Sequence, residues 1–449
     1  MNNSKNHIYS DNFNQNMTLE QSSHNILLEK FNETRVRTLE LVKTLEKDDF
    51  GVQTAFYTSP AKWHLGHVSW LNEIVLSKTT DNYEFYSDEF SEYLNSYYNQ
   101  FGKPHDKAKR GIMSRPTTDE MLEYFEIITQ KVRHTMQGSL SDKASYLFTM
   151  AIHHECQHQE LLIYDIQHLL AEQYRPVRKN HPPKPVDIER KNVKIDGGLY
   201  EMGYSGNEYC YDIEQPAHKV YLNEYEIENF PVTNGDYLEF INDGGYEDFS
   251  FWLSDGWDKV KENGWNAPMY WEKNDGVWFT SDFMGKRKIN PDEPVCHVSF
   301  YEASAFCKWA GKRLPTEAEW EKAALWNNET KEKTTFPWGN EQPSERHANI
   351  LESYNWNCTK IGSYPKGVSS YGLHQMIGDV WEWTASEFIG YPGFKSSFDE
   401  YNDKWFTNQK VLRGGSFATP AISIRGTYRN FFRLDERWLV SGFRCAKDI

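Results

Sequence analysis

The sequence has no CxxC pair, and its six cysteines (Cys156, Cys210, Cys296, Cys307, Cys358 and Cys445) are scattered along 449 residues. That spacing argues against a disulfide framework and against a thiolate-bound zinc site. No uninterrupted apolar stretch approaches the roughly 18–20 residues needed to cross a bilayer. The opening residues, MNNSKNHIYSDNFNQN, lack the apolar core of a secretory signal, so the expected address is the cytoplasm, with no membrane partner. Positive charge is also short. There are 49 Lys and Arg against 65 Asp and Glu, a net charge of −16, with no run of five or six basic residues. Such a chain does not grip phosphate backbones, and nucleic acid is excluded as a partner.

Aromatics are what it has in surplus: 16 Trp, 27 Tyr and 26 Phe, or 15% of the chain. They supply enough apolar area for a large core and exclude disorder for most of the sequence. The length permits two or three domains.

Two grammars divide it. Up to about Leu170, apolar residues recur at three- and four-residue steps, from Ile26 to Leu45, Trp63 to Leu76, Glu120 to Met136 and Ala144 to Leu170. Four long helices at this spacing suggest a bundle, whose interior can hold a site built from facing helices. Pro176, Pro182, Pro183 and Pro185 then break the pattern. The expected organisation is a flexible N-terminus over 1–22, a helical bundle over 23–174, a Pro-rich linker over 175–195 and a second domain over 196–449. In that last part turn signals are frequent and two helices stand out, each opened by a capping box: Ser299 with Glu302, and Thr316 with Glu319. The fold class expected is α+β multidomain.

The sharpest chemistry lies in HHECQHQELL. His154 and His158 are four apart, so a helix presents both on one face, the spacing by which it grips a metal ion. Two satisfied core histidines would show the same spacing. Gln157 lies beside the pair, and Glu155 and Glu160 are candidates to orient the imidazoles. In KWHLGHVSW, His64 and His67 offer a third ring from another helix. An all-imidazole set suits Zn, Fe, Cu or Ni. Zinc would imply hydrolysis or thiol transfer, and Fe(II) with open positions would imply O2 chemistry.

SPAKWHLGHVSW, FSEYLNSYYNQFGKPHDKAKRGIMSRPT and HHECQHQELLIYDIQH together resemble the DinB-like helical domain of the ergothioneine-biosynthesis sulfoxide synthases (EgtB type). GGLYEMG, PVCHVSFYEASAFCKWAGKRLPTEAEWEKAA, FPWGN, GDVWEWTAS, VLRGGSF and SGFRC resemble their formylglycine-generating-enzyme-like domain, a relative of the C-type lectin fold. The resemblance implies an N-terminal DinB-like four-helix bundle and a C-terminal α+β domain of that kind. It implies a non-haem Fe(II) oxidoreductase that joins a cysteine-type sulfur to imidazole C2 of hercynine (Nα-trimethylhistidine), with O2 as oxidant, giving a sulfoxide. Carried over, the iron ligands are His67, His154 and His158, with His64 outside the set, and Gln157 contacts the hercynine imidazole. A tyrosine suppresses oxidation of the thiol to a sulfinate; Tyr97 and Tyr98 match it, with Tyr391 as competitor from the second domain.

Where relatives that use γ-glutamylcysteine carry Asn-Trp-Asp, this chain has Asn430-Phe431-Phe432. Two aromatics cannot pair with the donor's ammonium, and they shorten the pocket. Free cysteine is therefore the expected donor. Arg110 and Arg115, then Arg433 and Arg437, are candidates for its carboxylate, because the guanidinium fork binds bidentately. The expected partners are hercynine, cysteine and O2. The alternatives are the same scaffold with γ-glutamylcysteine or a selenium donor, or a zinc-dependent DinB-like thiol transferase.

Overall fold

The computed structural model describes residues 25–96, 98–174, 176 and 182–449. The flexible segment expected over 1–22 lies outside the described residues, as do Arg175 and residues 177–181 of the expected linker. The chain divides into two compact units, the first ending at Leu162 and the second running from Ile163 to Ile449. No helix among the described residues is long and apolar enough to cross a membrane.

The first unit is helical. Its long helices are α1 (25–42), α2 (Ala61–Thr79), α4 (Thr118–Met136) and α5 (Asp142–Leu170), with a short α3 (Asp88–Leu94) between the second and third. The unit boundary falls inside α5. Helix α4 shows the usual one-sided pattern: Met121, Tyr124, Phe125, Ile128, Val132 and Met136 are buried at steps of one, three and four residues. Thr117 and Glu120 close a capping box at its start. Helix α2 differs, because every residue from Ala61 to Leu76 is buried. A helix covered all round must satisfy its polar groups internally. Accordingly the Glu73 carboxylate accepts from Tyr124 Oη (2.6 Å), Tyr83 Oη (3.0 Å) and the Tyr86 amide (2.7 Å), while Lys62 donates to the Met113 carbonyl at 2.8 Å.

One buried cation ties four helices together. Arg35 on α1 donates to Glu155 of α5 (2.9 Å), Thr129 of α4 (2.9 Å), Ser69 of α2 (3.1 Å) and the Phe125 carbonyl (3.0 Å), and its guanidinium lies 3.3 Å from the Phe125 ring centroid. These bonds fix the rotation and height of α5, and so of the histidines on either side of Glu155.

Among its described residues the second unit contains small sheets and four further helices: α6 (Asn234–Asn242), α7 (Ser254–Asn263), α8 (Phe300–Trp309) and α9 (Glu317–Leu325). Helices α8 and α9 carry the expected capping boxes. Helices α6 and α7 correct the expectation of two. The box of α6 pairs Thr233 with Asp236, where the usual motif has a glutamate or glutamine, and α7 opens in SDGW, which reads as a turn. The largest sheet places Asn430–Phe432 at its edge, then Lys410–Arg413, Trp381–Glu387 and Ser441–Gly442.

Many charged residues of the motifs in this half pair with one another inside it. Glu321 of α9 meets Arg413 (2.5 Å) and Lys333 (2.6 Å); Glu317 meets Arg429 (2.9 Å); Glu382 takes a bidentate bond from Arg444 (2.7 Å) and another from Trp320 (2.7 Å). Gly414 follows Arg413 with φ of 99°, and a Cβ there would stand 2.5 Å from the Met376 carbonyl oxygen. Cys445, isolated in the sequence, has its sulfur 3.5 Å from that of Cys307, and both are buried.

Candidate metal centre

Helices α2 and α5 bring three histidines to one point inside the first unit. One ring nitrogen from each of His67, His154 and His158 lies within 4.8 Å of the others. Ring centroids are 4.5 Å apart for His154 and His158, 4.7 Å for His67 and His158, and 5.0 Å for His67 and His154.

His67 is held between two indoles on its own helix. Trp63, four residues before it, stacks at 4.5 Å and 12°; Trp70, three residues after, stacks at 5.6 Å and 22°. Its Nδ1 is 2.6 Å from the Leu94 carbonyl, which can only accept, so the proton is on Nδ1 and Nε2 keeps its lone pair. That Nε2 is buried with no hydrogen-bond partner among the described residues. An orphaned, inward acceptor is costly unless a cation satisfies it. Burial pushes the His67 and His158 imidazolium pKa values well below the usual range, aided by neighbouring histidines, and it pushes His154 down to about 3. All three rings are therefore neutral near pH 7. The residues present fit a divalent cation of the imidazole-binding class.

Around the cluster, Arg110 lies 3.3 Å from the Trp63 ring centroid and donates to Ser59 Oγ at 2.8 Å. Its charge reaches both His67 and His158. His64 is not in the three-ring set; its Nδ1 lies 2.9 Å from Nδ1 of His158. Gln157 is half-buried one position before His158. Tyr98 is fully buried, with its ring 5.8 Å from that of Trp70, and Asn95 holds its backbone through two 2.8 Å bonds. Tyr97 lies outside the described residues. Arg115 is exposed and donates to the Ser114 carbonyl at 3.2 Å. Glu155, expected to orient an imidazole, turns instead to Arg35 and Thr38, because one residue past His154 is about 100° round the helix.

Residues 177–449 match the family described as the Sulfatase-modifying factor enzyme 1-like domain. Over 428 residues the chain is 33% identical to the hercynine oxygenase of Mycolicibacterium smegmatis, covering 92% of this chain and 97% of that protein. The chain belongs to the hercynine oxygenase family. The hercynine oxygenase of Mycobacterium tuberculosis is 32% identical over 419 residues, with 92% and 97% covered. The formylglycine-generating enzyme of Streptomyces coelicolor is 30% identical over 298 residues, but it spans only 58% of this chain and 90% of its own. Family membership makes the chain an oxidoreductase, and the helical half separates it from relatives that share only the second.

The remaining candidates lie in the second unit. Asn430, Phe431 and Phe432 form the sheet-edge strand opposite Leu412, Val411 and Lys410. Phe431 stacks on Phe388 at 3.9 Å and 14°, and Phe432 meets Trp438 edge-on at 6.2 Å. All three are half-buried. Arg433 is exposed, with its amide donating to Glu436. Arg437 is committed to the buried Glu302 at 3.0 Å and lies 4.3 Å from the Trp265 ring centroid. Tyr391 is buried against Arg429, 4.0 Å from the ring centroid, and its hydroxyl donates to Glu317 at 3.4 Å.

Sequence reasoning missed Trp63 and Trp70 as the walls of His67, and Arg35 as the clamp on α5. Indoles at −4 and +3 from one histidine were a readable signal. The Arg35 to Glu155 pairing, 120 residues apart, left none.

Proposed function

We propose that this member of the family is a non-haem, Fe(II)- and O2-dependent sulfoxide synthase that joins the sulfur of cysteine to imidazole C2 of hercynine, forming hercynylcysteine sulfoxide in ergothioneine biosynthesis. The observation that carries the reading is the convergence of His67, His154 and His158 in a chain that aligns with two hercynine oxygenases over nearly their whole length. When bound by these rings, Fe(II) supplies the one-electron chemistry that lets O2 react with a thiol.

The net change breaks the imidazole C2–H and the S–H and forms C2–S and S=O. One oxygen atom stays on sulfur, and the other leaves as water with both protons.

This chain's residues have definable tasks. Three neutral imidazoles bring no negative charge to the centre, so a substrate thiolate meets no anionic ligand. Arg110, pinned by Trp63 and Ser59, offers a fixed cation to a substrate carboxylate. Gln157 is assigned to the hercynine imidazole. Tyr98, fully buried beside Trp70, is the candidate to deliver a proton to reacting oxygen. Phe431, braced by Phe388, is the residue to which the preference for cysteine over a γ-glutamyl donor is assigned. Holding both substrates in one pocket replaces a multi-body encounter by an intramolecular one.

The test is to load the protein anaerobically with Fe(II), admit air with hercynine, and supply cysteine and γ-glutamylcysteine in competition. The reading expects a cysteine-derived sulfoxide conjugate and little of the other. Predominance of the γ-glutamyl product overturns the donor assignment, and absence of any sulfoxide overturns the reaction.

A further inference from the structure

The His64–His158 contact has no task in the chemistry above. It lies beside the proposed metal centre, and any role for it rests on that centre binding a cation. We infer that His64 is a positioning residue: it accepts a hydrogen bond from Nδ1–H of His158, which fixes the proton of that ring on Nδ1 and leaves Nε2 as the nitrogen offered to the cation.

Donor and acceptor capacity decides the direction of the bond. The two Nδ1 atoms are 2.9 Å apart, and His64 is 3% exposed. Two imidazole nitrogens at that separation share one proton, so one ring donates and the other accepts. Were His158 the acceptor, its proton would sit on Nε2, and the ring would have no lone pair left for a cation. Only donation by His158 is compatible with ligation, and His64 then carries its own proton on Nε2. His67 obeys the same logic with a different partner, because the Leu94 carbonyl at 2.6 Å obliges its Nδ1 to donate. Two of the three rings thus have Nδ1 bound to an acceptor supplied by this chain, and such acceptors set both the tautomer and the basicity of a ligand ring. A neutral imidazole does this without adding a carboxylate's charge to the cluster.

Packing restricts the pair to this geometry. The His64 ring stands edge-on to Trp63 at 5.6 Å and is tilted 59° to His158. Trp63 also covers His67, so one indole braces both the ligand and the positioning ring.

The test uses the full chain and two variants. His64→Leu keeps similar bulk without an acceptor; His64→Asn places Oδ1 as many bonds from the backbone as Nδ1. In anaerobic chelator competition, Fe(II) affinity should fall roughly 10–100-fold in His64→Leu and stay within about 3-fold in His64→Asn. On the unsubstituted, metal-free protein labelled with 15N-histidine, long-range proton–nitrogen correlation should report Nδ1–H for His158 and Nε2–H for His64. The NMR result decides the matter even if His64→Leu fails to fold. Equal iron affinity in all three forms, or a proton on His64 Nδ1, overturns this inference alone. Failure of the unsubstituted protein to bind Fe(II) overturns the metal centre and the inference with it.

Discussion

Replacing Arg35 by Met should destabilise the helical unit by about 3–5 kcal/mol, the usual consequence of stranding one partner of a buried ion pair. Arg35 and Glu155 are each 1% exposed, so water cannot replace the lost partner. After the substitution, Glu155 keeps the Thr38 hydroxyl, at 2.6 Å, as its partner among the described residues. Burial lowers the Arg35 pKa against the opposing field of Glu155, so the cost of desolvation offsets much of the attraction within such a pair. The loss comes from leaving a carboxylate dry and unpaired. Removing both charges should therefore recover most of it. In Arg35→Met with Glu155→Leu, the remaining groups keep partners: Thr129 with the Phe125 carbonyl (2.7 Å), Ser69 with that of Leu65 (2.9 Å) and Thr38 with that of Thr34 (3.2 Å). Urea unfolding followed by helical circular dichroism measures both, with the two units treated as separate transitions. Since domains hold only about 5–15 kcal/mol in total, the single variant should lose much of its native range. A cost below about 1 kcal/mol, or a double variant no better than the single, would contradict the role given to the stranded carboxylate.

Three further outcomes are expected from other parts of the chain. Burial alone would raise the Glu321 carboxyl, but Lys333 and Arg413 hold it down to about 2, against an ordinary 4.5. Its contribution of about 3 kcal/mol is thus fully present above pH 4.5 and is lost as pH falls toward 2; Glu321→Gln should flatten that part of the stability profile, and an unchanged slope would exclude the pair as its source. Tyr98→Phe should leave the fold intact and shift the reaction from sulfoxide toward cysteine sulfinate, read by mass spectrometry of the products. An unchanged ratio would remove Tyr98 as proton donor. Gly414→Ala combines a left-handed backbone with a carbonyl 2.5 Å from the new Cβ, so it should cost at least about 1–3 kcal/mol of second-unit stability. A melting temperature equal to the parent's would count against this.

The helical half was legible because its signal is local. A period of three to four residues placed α1, α2, α4 and α5 within a few residues of their observed spans, and the His154–His158 spacing announced a shared face. In the second half, capping boxes located α8 and α9, but they hid α6, whose Thr233 is answered by an aspartate. Aspartate and glycine read as a turn concealed α7, whose Gly256 is buried where a Cβ would stand 2.8 Å from the Tyr301 side chain, so close approach and not helix propensity sets that residue.

Partner choice was not legible, and the site depends on it. Spacing alone could not choose between His64 and His67 as the third ring, since both lie on the same turn of α2. The structure separates them by their neighbours: His67 has an indole on either side and a carbonyl at Nδ1, while His64 has its Nδ1 on His158. Each of those contacts is made by a side chain of a helix that is buried on every side from Ala61 to Leu76. In such a helix the positions that line a site and those that merely fill space carry the same residue types, so hydropathy does not tell them apart. Hydrogen-bond direction does. A ring whose Nδ1 must donate offers Nε2 as a ligand atom, and a ring that must accept serves another ring. His64 and His67, three residues apart with the same side chain, are assigned different work by the atoms they face.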